Sequence, residues 1–165
     1  MSETPRARPG EAGEMLSCYI VEVGGELYAL PPSEEIALSW VQRPQEPTYL
    51  PTLPPWCLGL VNERNTPVLL VDLRALLGLP PREAHELGDS ARHVFVARAD
   101  ETIGFLVERT HRFRVLPVPA LPSDGALVAG ALRSGDETIR LLNLEAIWRV
   151  ILSALGTPGE GEAAA

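Results

Sequence analysis

Lysine is absent from the 165 positions: all 14 basic residues are arginines. A P-loop lysine, a Schiff-base amine and an S-x-x-K nucleophile each need that amine, so three chemistries are excluded. Cysteine is scarce as well. Cys18 and Cys57 stand apart in apolar surroundings, form no C-x-x-C pair, and read as buried reduced thiols. Histidine is limited to His85, His93 and His111, isolated from one another, which predicts surface or loop positions and no metal. No G-x-S-x-G elbow or G-x-G-x-x-G turn occurs. Glu34-Glu35 and Glu83 with Glu86 lie in polar stretches and read as solvated surface. No apolar run approaches the roughly 20 residues of a membrane helix. The opening residues, among them Glu3, Arg6, Arg8 and Glu11, lack the apolar core of a secretory signal. The expectation is a cytoplasmic chain with no direct membrane insertion. A net charge of −8 repels polyphosphate, so no nucleic-acid partner is expected.

What is present is proline, glycine and short apolar segments. Hydrophobic residues make up 45% of the chain with mean hydropathy +0.06, which fits one globular domain with a sizeable core. Residues 1–14 read as a flexible leader and 156–165 as a disordered tail, leaving a domain over 15–155. Strand signals are short and frequent. Tyr19 to Val23 and Glu26 to Leu30 flank Gly24-Gly25, a pair suited to a tight hairpin. Ile36 to Val41 follows, and two-residue alternation puts Ile36, Leu38 and Trp40 on one face. A loop rich in proline (Pro44, Pro47, Pro51, Pro54, Pro55) then precedes a strand over Val68 to Val71. Further strands are expected over His93 to Arg98, Thr102 to Val107, Phe113 to Val118, Leu127 to Leu132 and Thr138 to Leu142, between turns such as Ser134-Gly135-Asp136. Such spacing predicts an all-β barrel architecture. One full helix is expected. Asn143 caps it, Leu144, Ile147, Trp148, Ile151, Leu152 and Leu155 share its apolar face, and Gly156 and Pro158 stop it. A short helical turn runs from Asp72 to Gly78, followed by an acidic loop to Asp89.

The segment Trp56 to Gly78 carries the most information. Its Gly59, Asn62, Arg64, Asp72, Leu73 and Arg74 resemble the signature of the CheW-like domain family. Glu63 stands where that family usually has leucine, and Asn65 where it has glycine. Gly104 to Glu108, Leu127-Val128-Ala129-Gly130 and Leu141-Leu142-Asn143-Leu144-Glu145 are similar to later family segments, in the same order. The resemblance covers about residues 15–155. It implies two small five-stranded SH3-like β-barrels packed on a shared core, with a C-terminal helix.

It further implies a scaffold without catalysis or cofactor. The partners expected from it are the regulatory domain of a CheA-type histidine kinase and the cytoplasmic tip of methyl-accepting chemoreceptors. A diverged regulator that binds a single partner and modulates it is the alternative. The residues placed at partner surfaces are Leu38, Trp40, Leu58, Gly59, Asn62, Glu63 and Arg64. Part of the Ile36-Leu38-Trp40 face either lines an inter-barrel groove for the receptor tip or is core, with Trp40 as the candidate aromatic anchor. Arg64 either braces the turn through backbone carbonyls or projects toward a partner. Glu63 is expected to pair with Arg64 or Arg74, or to alter partner choice. Asn65 tolerates the positive φ that a family glycine would supply. Gly59 is expected to accept a bulky residue with the fold intact.

Overall fold

The computed structural model describes residues 13–83, 87–120 and 125–155. The expectations for the leader before residue 13, for His85, Glu86, Gly156 and Pro158, and for the tail at 156–165 lie outside those residues. In chain order come β1 (Glu14–Val23), β2 (Glu26–Leu30), β3 (Ile36–Gln42), β4 (Cys57–Glu63), β5 (Thr66–Asp72) and α1 (Leu73–Leu76). Then follow β6 (Arg92–Arg98), β7 (Glu101–Val107), β8 (Arg109–Val118), β9 (Val128–Ser134), β10 (Glu137–Leu142) and α2 (Leu144–Leu155). The first hairpin turns where expected, with Gly24 at φ 62° and Gly25 at φ 81°. Two consecutive positive φ values give a turn whose twist matches that of the flanking strands.

The strands form two sheets of five, ordered β8-β1-β2-β10-β9 and β3-β6-β7-β5-β4. Each reads antiparallel, antiparallel, parallel, antiparallel across its width, the parallel pairs being β2 with β10 and β5 with β7. The second barrel is therefore built from one continuous stretch, inserted between β2 and β8 of the first.

Alternation along the strands divides the apolar residues between three clusters. Cys18, Ile20, Leu116, Ile139 and Leu141 fill the first barrel, and Val61, Val68, Leu70 and Phe95 fill the second. Between the barrels, Val21, Val23 and Tyr28 meet Val71, Val94 and Phe105 across a common core that also buries Ile147, Trp148 and Ile151 of α2. This is the expected pair of barrels on a shared core. Asn143 caps α2 as expected, its Oδ1 accepting the Ala146 N–H at 3.2 Å. Leu155, placed on the buried face by periodicity, is 40% exposed at the helix end.

Two further expectations are corrected. In β3 the pairing passes from Leu38 with Val96 to Trp40 with Phe95, so one extra residue, Ser39, sits in a β-bulge. A bulge reverses the alternation beyond it. Ile36 and Leu38 pack on the shared core, while Trp40 packs into the second barrel. The face that was to unite them does not exist. His93 is not a surface or loop residue: it lies in β6 with 1% of its surface exposed.

A charged cluster ties the acidic loop to the body. Arg82 donates two hydrogen bonds to Asp72, at 2.7 and 2.9 Å, and reaches the Glu108 carboxylate as well. Glu108 also accepts the Gly24 N–H at 2.7 Å, and Arg74 donates from Nε to the Pro80 carbonyl at 2.6 Å. Asp72, the cap of α1, and Glu108, at the end of β7, are thereby joined to the first hairpin.

Candidate docking site

The β4–β5 hairpin closes on Arg64 and Asn65, with φ 53° and 66°. Asn65 takes the positive φ expected of it. Arg64 takes one too, an uncommon conformation for a long side chain, because a two-residue hairpin turn between the paired Glu63 and Thr66 requires positive φ at both central residues; its side chain ends a series of stacked groups.

The arrangement begins at Gly104 in β7. A Cβ there would come within 2.9 Å of the Phe95 ring, so glycine gives that ring its place inside the barrel. Phe95 in turn stacks on Trp40, ring centroids 4.6 Å apart and planes at 21°. The guanidinium carbon of Arg64 lies 4.8 Å from the Trp40 ring centroid, within range of a cation–π contact. The indole is also fixed in its own plane, because Trp40 Nε1 donates to Glu63 Oε2 at 3.3 Å. From buried glycine to exposed arginine, each group orients the next.

This geometry revises three site expectations. Arg64 does not brace the turn through carbonyl hydrogen bonds; its contact among the described residues is the Trp40 ring. Glu63 pairs with the indole N–H rather than with Arg64 or Arg74. Trp40 is half-buried and links β3 to β4, the two edge strands of its sheet. In the first barrel Arg114 makes the equivalent link between the edge strands, from β8 to Ser134 of β9 at 3.3 Å, and also reaches Glu137 of β10 at 2.6 Å.

Gly59 is corrected most sharply. Its φ is 130°, and an added Cβ would lie 2.2 Å from the Thr48 carbonyl oxygen. The proline-rich segment passes directly over it, held by reciprocal backbone hydrogen bonds between Thr48 and Leu60 at 2.7 and 2.9 Å. No bulky residue fits there with the fold intact. Leu58 is half-buried against the same cluster as Trp40. Asn62 is exposed, and Leu38 is on the other side of the sheet. The structure thus brings together Trp40, Leu58, Glu63 and Arg64, with Asn62 beside them on β4 and Gly59 beneath the proline-rich segment.

Residues that the sequence reading passed over complete the site. Phe95 lies in the apolar run Val94-Phe95-Val96, which has no feature to single it out. Tyr49, 71% exposed, stands beside Gly59 on the proline-rich segment, where no periodicity marks it. A separate apolar strip lies on the outer face of β1 and β8. It comprises Met15, Phe113 and Val115, with Tyr19 meeting Phe113 edge-on at 4.9 Å.

His93 sits in the second barrel next to Phe95, ring centroids 6.1 Å apart. Burial lowers its pKa from 6.5 to about 4, so the imidazole is neutral at pH 7, and its Nδ1 has no hydrogen-bond partner. Both cysteines are free and buried as expected; burial pushes the Cys18 thiol up to about 11, away from reactivity. Among the described residues no group of three or more His, Cys, Asp or Glu side chains is placed to hold a metal, and no helix is long and apolar enough to cross a membrane.

Known proteins share this architecture. A chemotaxis protein CheW of Helicobacter pylori is 29% identical over 132 residues, 76% of each chain. One of Bacillus subtilis is 27% identical over 101 residues, which span 61% of this chain and 60% of that relative. The crystal structure of the scaffolding protein TtCheW from Thermoanaerobacter tengcongensis superposes with a TM-score of 0.63 at 21% identity, covering 79% of this chain and 90% of that one. At that identity the likeness supports the fold. The CheW-like domain model itself matches residues 17–151, from the first hairpin into α2, and the chain belongs to the CheW-like domain family.

Proposed function

We propose that this chain is a non-catalytic adaptor that couples chemoreceptors to a CheA-type histidine kinase in a bacterial chemosensory pathway. The observation that carries the reading is the hairpin at Arg64, which keeps the family's Asn62 and Arg64 and holds the arginine outward on a stack rooted in the barrel. A rigidly held arginine beside aromatic side chains is the kind of group that dominates protein interfaces. The kinase regulatory domain docks on this surface, formed by Arg64, Asn62 and Tyr49 and shaped from beneath by Leu58, Gly59, Glu63 and Trp40.

An adaptor needs a second surface. The apolar strip of Met15, Phe113 and Val115 belongs to the other barrel and suits a helical receptor tip, because exposed apolar patches mark protein contacts. The single-partner regulator remains the second reading, favoured by Glu63, whose bond to Trp40 gives this hairpin a chemistry the family's leucine does not have. Titration calorimetry of the full chain against the kinase regulatory domain and, separately, a receptor-tip fragment tests the proposal. Binding to both supports the adaptor, and binding to one alone supports the regulator.

A further inference from the structure

We propose that the turn before β6 and the start of β8 form a binding site for a tetrahedral oxyanion, with a phosphate monoester as the chemical class that fits. Its residues belong to neither docking surface proposed above, and the inference does not rest on those surfaces. A cavity of about 240 Å³ opens there, lined by Ser90, Arg92, Arg109, Thr110 and His111. Two guanidiniums, an imidazole and two hydroxyls face the space, and no carboxylate lines it. In a chain of net charge −8 this is a local reversal of sign.

The cations are held by groups outside the cavity. Arg92 is half-buried, and its Nη1 donates to the carbonyls of Asp89 and Ala91 at 2.7 and 2.6 Å. Its Nε and Nη2 make no hydrogen bond among the described residues. Glu22 of β1 lies 3.8 Å from Arg109 Nε and 3.2 Å from His111 Nε2, so one carboxylate steadies both side chains. That carboxylate offsets one positive charge, and it lines the neighbouring cavity instead of this one. The hydroxyls of Ser90 and Thr110 have no partner among the described residues. A planar carboxylate is satisfied by a single guanidinium fork, whereas a phosphate carries acceptor oxygens in several directions. Donors gathered from a turn and two strands suit the second shape. The volume is below the roughly 300–1,000 Å³ of pockets for drug-sized ligands, so a phosphate group fits and a whole nucleotide does not. Affinity is modest, because the side chains of Arg109 and His111 are 56% and 37% exposed and their charges are screened.

The test titrates the full chain with inorganic phosphate at fixed pH and ionic strength and follows the NMR signal of the His111 ring. His111→Asn assigns that signal, and buried His93 is the internal control. A saturable shift with Kd on the order of 1 mM is expected. Arg92→Met and Arg109→Gln should each weaken binding roughly tenfold. Thermal melts establish folding, and Arg109→Gln, at an exposed position, decides the matter if Arg92→Met does not fold. Acetate should bind at least about tenfold more weakly than phosphate, having one plane of oxygens. A short phosphoserine peptide separates the sources of the group. Tighter binding than inorganic phosphate assigns the site to a modified side chain of a partner, equal or weaker binding assigns it to free phosphate, and both support the proposal. A shift that never saturates, is matched by acetate, or is unchanged in the folded arginine variants would overturn it. Equal affinity for phosphate and chloride would overturn it too, marking an adventitious ion only.

Discussion

A methyl group at Gly59 would overlap the Thr48 carbonyl, 2.2 Å away, and would also have to accept φ 130°. Neither conflict is relieved by a rotamer change, because both involve backbone. Gly59→Ala is expected to cost on the order of 3 kcal/mol in urea denaturation, and Gly59→Trp to give no folded protein. Binding lost in Gly59→Ala then reports a displaced proline-rich segment and not a missing contact. His93 gives a pH signature. Its pKa falls from 6.5 unfolded to about 4 folded, so between those values the unfolded chain binds a proton that the folded chain refuses. Stability is therefore level above the unfolded value, declines as pH falls below it, and has lost its full share, roughly 3 kcal/mol, once the folded value is passed. In melts from pH 8 to pH 4, wild type should lose stability relative to His93→Leu toward acid. Parallel curves would mean that the imidazole is not the titrating group.

The helix α2 is where sequence and structure agree most closely. Trp148 is 1% exposed in the shared core, and its indole N–H donates to Glu101 at 2.9 Å. Trp148→Ala should cost about 3–5 kcal/mol by denaturation, and Trp148→Phe much less, losing mainly one hydrogen bond worth about 1 kcal/mol. A small shift in the alanine variant would detach the helix from the core. The loop after α1 is the opposite case. Arg82 lies in what reads as a solvated acidic stretch, yet it neutralises Asp72 and Glu108, which come from distant elements. Arg82→Met leaves those two carboxylates half-enclosed with only Arg74, 3.8 Å from Glu108, as a neighbouring cation, and a loss of about 3 kcal/mol is expected. An unchanged denaturation midpoint would show that the cluster is relaxed by solvent. Hairpins and the capped helix were legible because their signals are local: Gly24-Gly25, Asn65, Asn143 and a run of apolar residues at helical spacing. The bulge at Ser39 was not, because the extra residue is defined only by its partner strand, and its effect was to carry Trp40 to the opposite face from Leu38. The stack on Phe95 and the closure of Gly59 by Thr48 are likewise properties of tertiary neighbours.

At the scale of the whole molecule, two barrels with the same pairing order are fused through a common core, and a polar side-chain link joins the edge strands of each, Trp40 to Glu63 and Arg114 to Ser134. The fusion places the Arg64 hairpin on one barrel and the Met15–Phe113–Val115 strip on the other. Two outward surfaces on barrels joined by a common core suit the proposed coupling of a receptor to a kinase, in which two partners are held at one spacing. The most direct measurement is titration of a receptor-tip fragment into the full chain already saturated with the kinase regulatory domain. The account predicts a ternary complex with one of each component and a receptor affinity within about threefold of that for the free chain, since separate sites make additive contributions. Displacement of the kinase domain by the receptor fragment, or no receptor binding to the saturated chain, would contradict it.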